Sequence, residues 1–390
     1  MSVQHRSEPA TAPAPGERPR IAILWQGMAG YSHAAFAALS RRGAEVVVFH
    51  SALGANAPFD ESAVTAGLRA HGWDGEPDAR EVDAVLDELD PHAMLVSSWH
   101  IGPYRRAARR RRGRTLRVLC MDNQWWGRPK QLLGVATSPF VVRPAYDAAF
   151  LPGERSADFA RRLGFPDERI IRGIYSCDHA RFDAVAEARG DDLPAGAFVF
   201  VGRLVSDKGV DVLAEGYRRY RGSSDDPWPL LVGGAGPEAA RLAGIEGVDL
   251  LGFVQPDSLP ALLARSGCLV LPSRFEPWGV VVHEAAAAGL PVVCTSVAGA
   301  ASRLVLDGYN GVVVPPGDPG ALARALLRIS GASDRERRDM ATASRELGRQ
   351  FTPDRWAAHL LRRLRELRDL VGLPAMPSGT PSARRAGTGA

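Results

Sequence analysis

Short β-branched apolar runs alternate with longer amphipathic stretches along most of this chain, and that rhythm limits its fold more than any other feature. RIAILWQG reads as a first strand and YSHAAFAALSRRG as the helix after it, with Gly43 as its C-terminal stop. EVVVFH, HAMLVSS, TLRVLCMD, YDAAFLP and RIIRGI follow as strands, with helices at REVDAVLDELD and SADFARRLG between them. A β-α-β succession predicts a parallel sheet covered by helices on both faces. After a polar gap from Glu187 to Ala195 the rhythm restarts. FVFVGRL, PLLVGG, VDLLG, CLVLPS, PVVCTS and GVVVPPG are its strands. VDVLAEGYRRY, PEAARLAG, SLPALLARSG and VVVHEAAAAG are its helices. Pro353 then opens a last, Arg-rich amphipathic helix.

The expected fold class is therefore α/β, with two doubly wound, Rossmann-like units. Such sheets bind ligands at the carboxyl ends of their strands, so two facing units imply a cleft between them. The expected boundaries are a disordered tail over 1–19, a first unit over 20–182 and a second over 183–353. A helix over 354–373 and a disordered tail over 374–390 complete the chain. A length of 390 residues suits two such units. No run of 18 apolar residues occurs, and the first 20 residues lack the apolar core of a secretory signal. Four widely spaced cysteines, without a CxxC pair, fit a reduced compartment, so a cytoplasmic location is expected.

Charge adds little about partners. The net charge is +4, but the two tails carry most of it, leaving +1 on the folded body. Nucleic acid is not an expected partner. Of 48 basic residues only Lys130 and Lys208 are lysines, so Arg runs carry little meaning in this chain and a Lys carries more. The run of eight Arg from Arg105 to Arg117 has a bland reading, a solvated helix, and a sharp one, peripheral docking on the inner face of an anionic membrane.

Two constellations point to chemistry. In GRLVSDKG, Gly202 permits close backbone approach, while Arg203 and Lys208 bring two cations to the end of a strand, a form suited to diphosphate. It is not a P-loop. In SRFEPWGVVVHEAAAAGLPVV, Glu276 follows a strand, Gly279 marks a turn into a helix, and Glu284 lies on that helix's apolar face. A carboxylate there is costly unless a partner or ligand takes it up, and ribose hydroxyls are natural partners. The first loop, Gln26 to Gly30, contains Gly27 but lacks the full dinucleotide fingerprint. Asp122, Asn123, Gln124, Trp125 and Trp126 follow a strand, where polar groups and indoles suit sugar recognition. His100 lies at another strand end. Cys177 has no evident base nearby and reads as structural, and His283 as packing. No Asp-x-Asp or other metal-ligand spacing is present, so neither a metal nor another cofactor is expected.

FVGRLVSDKGVDVL, LVGGAGP, LGFV, LPSRFEPWGVVVHEAAAAGLPVV and NGVVVPPGD occur in that order. Together they resemble the donor half of a retaining GT-B glycosyltransferase of family 4, the glycosyl transferases group 1 type. The Glu-x7-Glu spacing from Glu276 to Glu284 is that family's signature. The resemblance implies that Arg203 and Lys208 hold the donor diphosphate and that Glu284 bonds the ribose. It implies that Glu276 meets the transferred sugar, helped by backbone amides of Trp278, Gly279 and Val280. Phe253 and Val254 would touch the base, and Gly202 and Gly234 would line the nucleotide cleft beside Gly27. Family members often carry His where Asp122 stands, so Asp122 is a candidate base or orienting group. His100, Asn123 and Trp125 are candidate acceptor contacts. The implied activity is metal-independent transfer of a sugar from a nucleotide diphosphate sugar to a hydroxyl acceptor, in glycan or polysaccharide assembly. The acceptor is a glycan, a lipid-linked sugar or a small molecule. A GT-B nucleotide-sugar epimerase and a non-catalytic nucleotide-sugar binding subunit stay open as alternatives.

Overall fold

A computed structural model describes residues 17–51, 61–190, 192 and 196–378. Residues 1–16, 52–60, 191, 193–195 and 379–390 lie outside the described residues. The chain forms two α/β units, each built on a parallel sheet. In the first, β1 (Arg20–Trp25), β2 (Glu45–Ser51), β3 (Arg69–Trp73), β4 (Ala93–Ser97), β5 (Leu116–Cys120), β6 (Ala148–Leu151) and β7 (Ile170–Arg172) take the order β3-β2-β1-β4-β5-β6-β7. In the second, β8 (Phe198–Val201), β9 (Leu230–Gly233), β10 (Val248–Gly252), β11 (Cys268–Leu271), β12 (Val292–Thr295) and β13 (Gly311–Val314) take the order β10-β9-β8-β11-β12-β13. Strands buried on both faces need near-continuous apolar runs, and β4, β8, β11 and β12 have them.

The strand order reverses beside β1 in one unit and beside β8 in the other, and these reversals open crevices at the carboxyl ends of the strands. β3 was not expected. It carries Arg69, His71 and Gly72, pairs only through β2, and as an edge strand is not buried on both faces.

The boundary between the units lies earlier than 182. Ile174 belongs to the first core, whereas Cys177 and Phe182 belong to the second. The helix His179–Arg189 packs on the second unit beside the helix Val280–Ala287. The chain returns through the helix Pro353–Leu370, whose Trp356, Leu360 and Leu364 enter the first core. Trp356 packs near Phe36 and Phe150, and its indole Nε1 donates to the carbonyl of Ile174 at 2.9 Å. The disorder expected from residue 374 begins too early. Met376 is buried in the first core, and Arg368 donates to the Pro374 carbonyl at 2.7 Å. Among the described residues no helix is long and apolar enough to cross a membrane.

Trp356→Ala removes both a large core side chain and the bond that ties the last helix to the end of the first unit. The expected cost is about 3–5 kcal/mol of stability, read as a lowered denaturant midpoint.

Candidate functional site

The carboxyl ends of the two sheets face each other across a cleft of about 1170 Å³. Gly27, His100, Asp122 and Asn123 line it from the first unit. Gly202, Arg203, Lys208, Gly234, Phe253, Val254, Val280 and Glu284 line it from the second. Twelve residues separated by up to 257 positions thus meet in one space.

Glycines let the loops of the second unit close up. A Cβ on Gly234 would lie 1.9 Å from the carbonyl oxygen of Gly202. Gly209 has φ +67°, and a Cβ there would lie 2.2 Å from the carbonyl oxygen of Pro272. Only glycine fits such approaches. The second one presses the Lys208 loop against the end of β11, where the segment carrying Glu276 begins. Lys208 Nζ consequently donates to Glu276 Oε2, and Ser273 Oγ donates to the same oxygen at 3.3 Å.

That geometry sets the position of Glu276. Glu276 is only 6% exposed and lies behind Lys208 as its counter-ion rather than on the cleft surface. Trp278 and Gly279 are likewise set back. The Trp278 indole donates to His283 Nε2 at 2.7 Å and its ring stacks near Tyr175, so the side chain braces the turn. Burial pushes the imidazole of His283 down to about 3, which keeps it a neutral acceptor. Gly279, at φ +91°, takes the left-handed conformation that starts the helix Val280–Ala287. The free amides of that first turn lie where Val280 meets the cleft. Arg203 is exposed and has no carboxylate partner among the described residues.

On the opposite wall, Asp122 Oδ2 accepts from the Tyr175 hydroxyl at 2.9 Å. Burial raises the Asp122 pKa above the ordinary carboxylate value, partly offset by that bond, and the charge of Glu276 raises it further. Tyr31 packs edge-on against Tyr175, and burial together with Asp122 and Glu284 pushes its hydroxyl up. Tyr31, Tyr175, Asp178 and Arg181 line the cleft without having been singled out from the sequence as ligands. The position of Tyr31, just after the first glycine-containing loop, was the available signal. The backbone amide of His100 donates to Ser98 Oγ at 3.2 Å, and burial with Arg105 lowers the ring's pKa.

Trp125 does not reach the cleft. Its ring lies 5.5 Å from Phe159 and under the guanidinium of Arg162, so it packs on the first unit. Gln124 is a clamp between units. Its Nε2 lies 3.2 Å from the carbonyl of Glu276, 3.1 Å from that of Pro277 and 3.4 Å from that of Val297. Cys177 is buried with its thiol pushed well up, as suits a structural residue.

Much of the Arg105–Arg117 run is occupied within the fold. Arg111 is buried against Asp83 and Asp87, Arg117 pairs with Asp147, and Arg110 and Arg114 pair with the same helix acids. Arg105 and Arg109 donate to backbone carbonyls. Among the described residues no group of three or more His, Cys, Asp or Glu could hold a metal ion.

Residues 195–331 match the family described as Glycosyl transferases group 1. Alpha-D-kanosaminyltransferase of Streptomyces kanamyceticus is 30% identical over 204 residues, covering 48% of this chain and 52% of that protein. D-inositol 3-phosphate glycosyltransferase of Salinispora tropica is 35% identical over 203 residues, covering 48% of this chain and 42% of that protein. These matches span about half the length of the relatives or less. Among solved structures, a glycosyltransferase from Rickettsia africae ESF-5 superposes with a TM-score of 0.69 over 90% of this chain and 98% of that one, at 12% identity. Anabaena Alr3699/HepE in complex with UDP and glucose gives 0.69 over 88% and 100%, at 17% identity. At these identities the likeness shows the fold, which is GT-B.

Glu284 gives the site a pH signature. Burial pushes its carboxyl up to about 7, with Arg181 opposing and Asp178 reinforcing the rise. Between its ordinary value of 4.5 and about 7 the folded chain keeps a proton that the unfolded chain has released. Stability contributed here therefore falls as pH rises through that window. Glu284→Gln stays neutral throughout. It should melt above wild type at pH 8, by up to about 3 kcal/mol in stability, and the gap should shrink on lowering the pH to 5.

Proposed function

We propose that this chain, whose residues 195–331 match the family described as Glycosyl transferases group 1, moves a sugar from a nucleotide diphosphate sugar to a hydroxyl acceptor, with retention and without a metal. The observation that carries the reading is that Arg203, Lys208 and Glu284 line one cleft, all from the second unit. Two cations at a strand end suit a diphosphate, and a half-buried carboxyl suits the two hydroxyls of a ribose. Support for a nucleotide-sugar donor also comes from the fold likeness to Alr3699/HepE, solved with UDP and with UDP-glucose.

In the proposed reaction the bond from the anomeric carbon to the phosphate oxygen breaks, and its electron pair leaves with the diphosphate. Arg203, Lys208 and the first-turn amides near Val280 stabilise that charge. Lys208 has three donors, so it can keep Glu276 and still meet a phosphate. The acceptor hydroxyl attacks from the face the diphosphate is leaving. It forms the new carbon–oxygen bond and passes its proton to a phosphate oxygen. Asp122, held by Tyr175 on the acceptor wall, orients that hydroxyl. The same Asp122–Tyr175 pair is the feature that suits an epimerase instead. Incubating donor without acceptor separates the two readings, because an epimerase yields a new nucleotide sugar.

Nucleotide binding is tested by thermal shift against UDP, GDP, ADP, dTDP and their sugars, with and without EDTA. One nucleotide should raise the midpoint of wild type irrespective of EDTA. Lys208→Ala strands a buried carboxylate and should cost about 3 kcal/mol of stability. Lys208→Met with Glu276→Gln should recover much of that loss while leaving turnover at least about 100-fold down. Turnover near the wild-type level in the double variant would sink the role given to Lys208.

A further inference from the structure

The helix Pro129–Val141 touches the first unit's core through Val135 and Val141. Its one fully buried residue is Ser138, whose hydroxyl donates to the carbonyl of Leu163. Its largest apolar side chains, those of Leu132, Leu133 and Phe140, face outward. Phe140 is 77% exposed, Leu133 64% and Leu132 54%, and Trp126 just before the helix is 41% exposed. Leu133, Ala136 and Phe140 form one helical stripe with Leu132 beside it. Exposed apolar surface concentrated in this way marks a contact face.

The charges along the segment that carries the stripe have a single sign. From Asn123 to Tyr146 the sequence holds no Asp or Glu, and it carries Arg128, Lys130 and Arg143. At the C-terminal end of the helix, Pro139 borders a hollow of about 640 Å³ that also holds Arg112, Arg143 and Arg169. None of these three is paired with a carboxylate among the described residues. The one carboxylate lining the hollow, Asp147, is already held by Arg117. The Tyr146 hydroxyl, from another residue lining the hollow, is buried without a hydrogen-bond partner.

We infer that this face docks on an anionic lipid bilayer, with Leu132, Leu133 and Phe140 entering the interfacial layer and the cations of the hollow meeting lipid phosphates. Charge selects this occupant. A second copy related by twofold symmetry would set the same cations against themselves, and a few side chains fall short of the area of a stable dimer. An anionic membrane surface supplies both an apolar interior and the opposite charge. Of the Arg105–Arg117 run, most of whose guanidiniums are engaged within the fold, only Arg112 adds an unpaired cation to the hollow. At its other end the helix begins beside Trp126, which packs near Phe275. Docking therefore brings the Asn123 rim of the cleft toward the bilayer. The inference stands independently of the chemistry proposed for the cleft.

The test is sedimentation of the full chain with vesicles of phosphatidylglycerol and phosphatidylcholine, against phosphatidylcholine alone. Wild type should partition at least 10-fold more onto the anionic vesicles, and less at high salt. Leu132→Ser/Leu133→Ser/Phe140→Ser should lose at least 10-fold of that binding while keeping its melting midpoint. Arg112→Glu/Arg143→Glu should lose a similar share. Equal partition onto both vesicle types would overturn the inference. So would undiminished binding by the Ser variant. A lipid-free dimer of wild type that becomes monomeric in the Ser variant would also overturn it, assigning the face to a second copy.

Discussion

One carboxamide holds the two halves of this molecule in register. Gln124 leaves the end of β5, crosses the cleft and offers its Nε2 to the carbonyls of Glu276, Pro277 and Val297. Those carbonyls belong to the two loops that follow β11 and β12, the first of which carries the turn into the helix of Glu284. Its own carbonyl is held by Gln131 Nε2 at 2.6 Å. The residue is buried, so its donors have no water to fall back on. Tyr175 stacking near Trp278 extends the same seam. Asp122 and Glu284 share one cleft because this seam fixes the spacing of its walls.

The second unit was more legible in the sequence than the first, for a physical reason. Its central strands are buried on both faces, so β8, β11 and β12 had to be written as near-continuous apolar runs. Its ligand loops follow those strands directly. β3 escaped because an edge strand tolerates His71 and Gly72. Spacing also says nothing of depth. Glu276 and Glu284 are separated by a fixed interval, yet one is a buried counter-ion and the other a cleft wall. Trp125 illustrates the same limit, since its neighbours Asn123 and Gln124 reach the cleft and the seam while its own ring turns to Phe159. Met376 shows that a single apolar side chain in a Pro-rich segment can find the core.

The site sits where the fold is least comfortable. Glu284 is held among apolar groups at a cost to its charged form, and Asp122 is similarly burdened by burial. Lys208 and Glu276 form a nearly buried ion pair that hydrophobic residues could replace with little loss of stability. Such arrangements persist in folds when a ligand completes them.

The two passages of the chain between the units also bear on motion. One runs from Ile174 to Cys177, and the other enters the helix Pro353–Leu370. The indole of Trp356 joins them directly by its bond to Ile174. Two crossings fastened at one point behave as a single hinge pin. Both partners of that bond lie in the first core, so the second unit can swing about the pin without breaking it. A swing of this kind moves residues in proportion to their distance from the pin, so the rim contacts separate before the core beside Trp356 is disturbed.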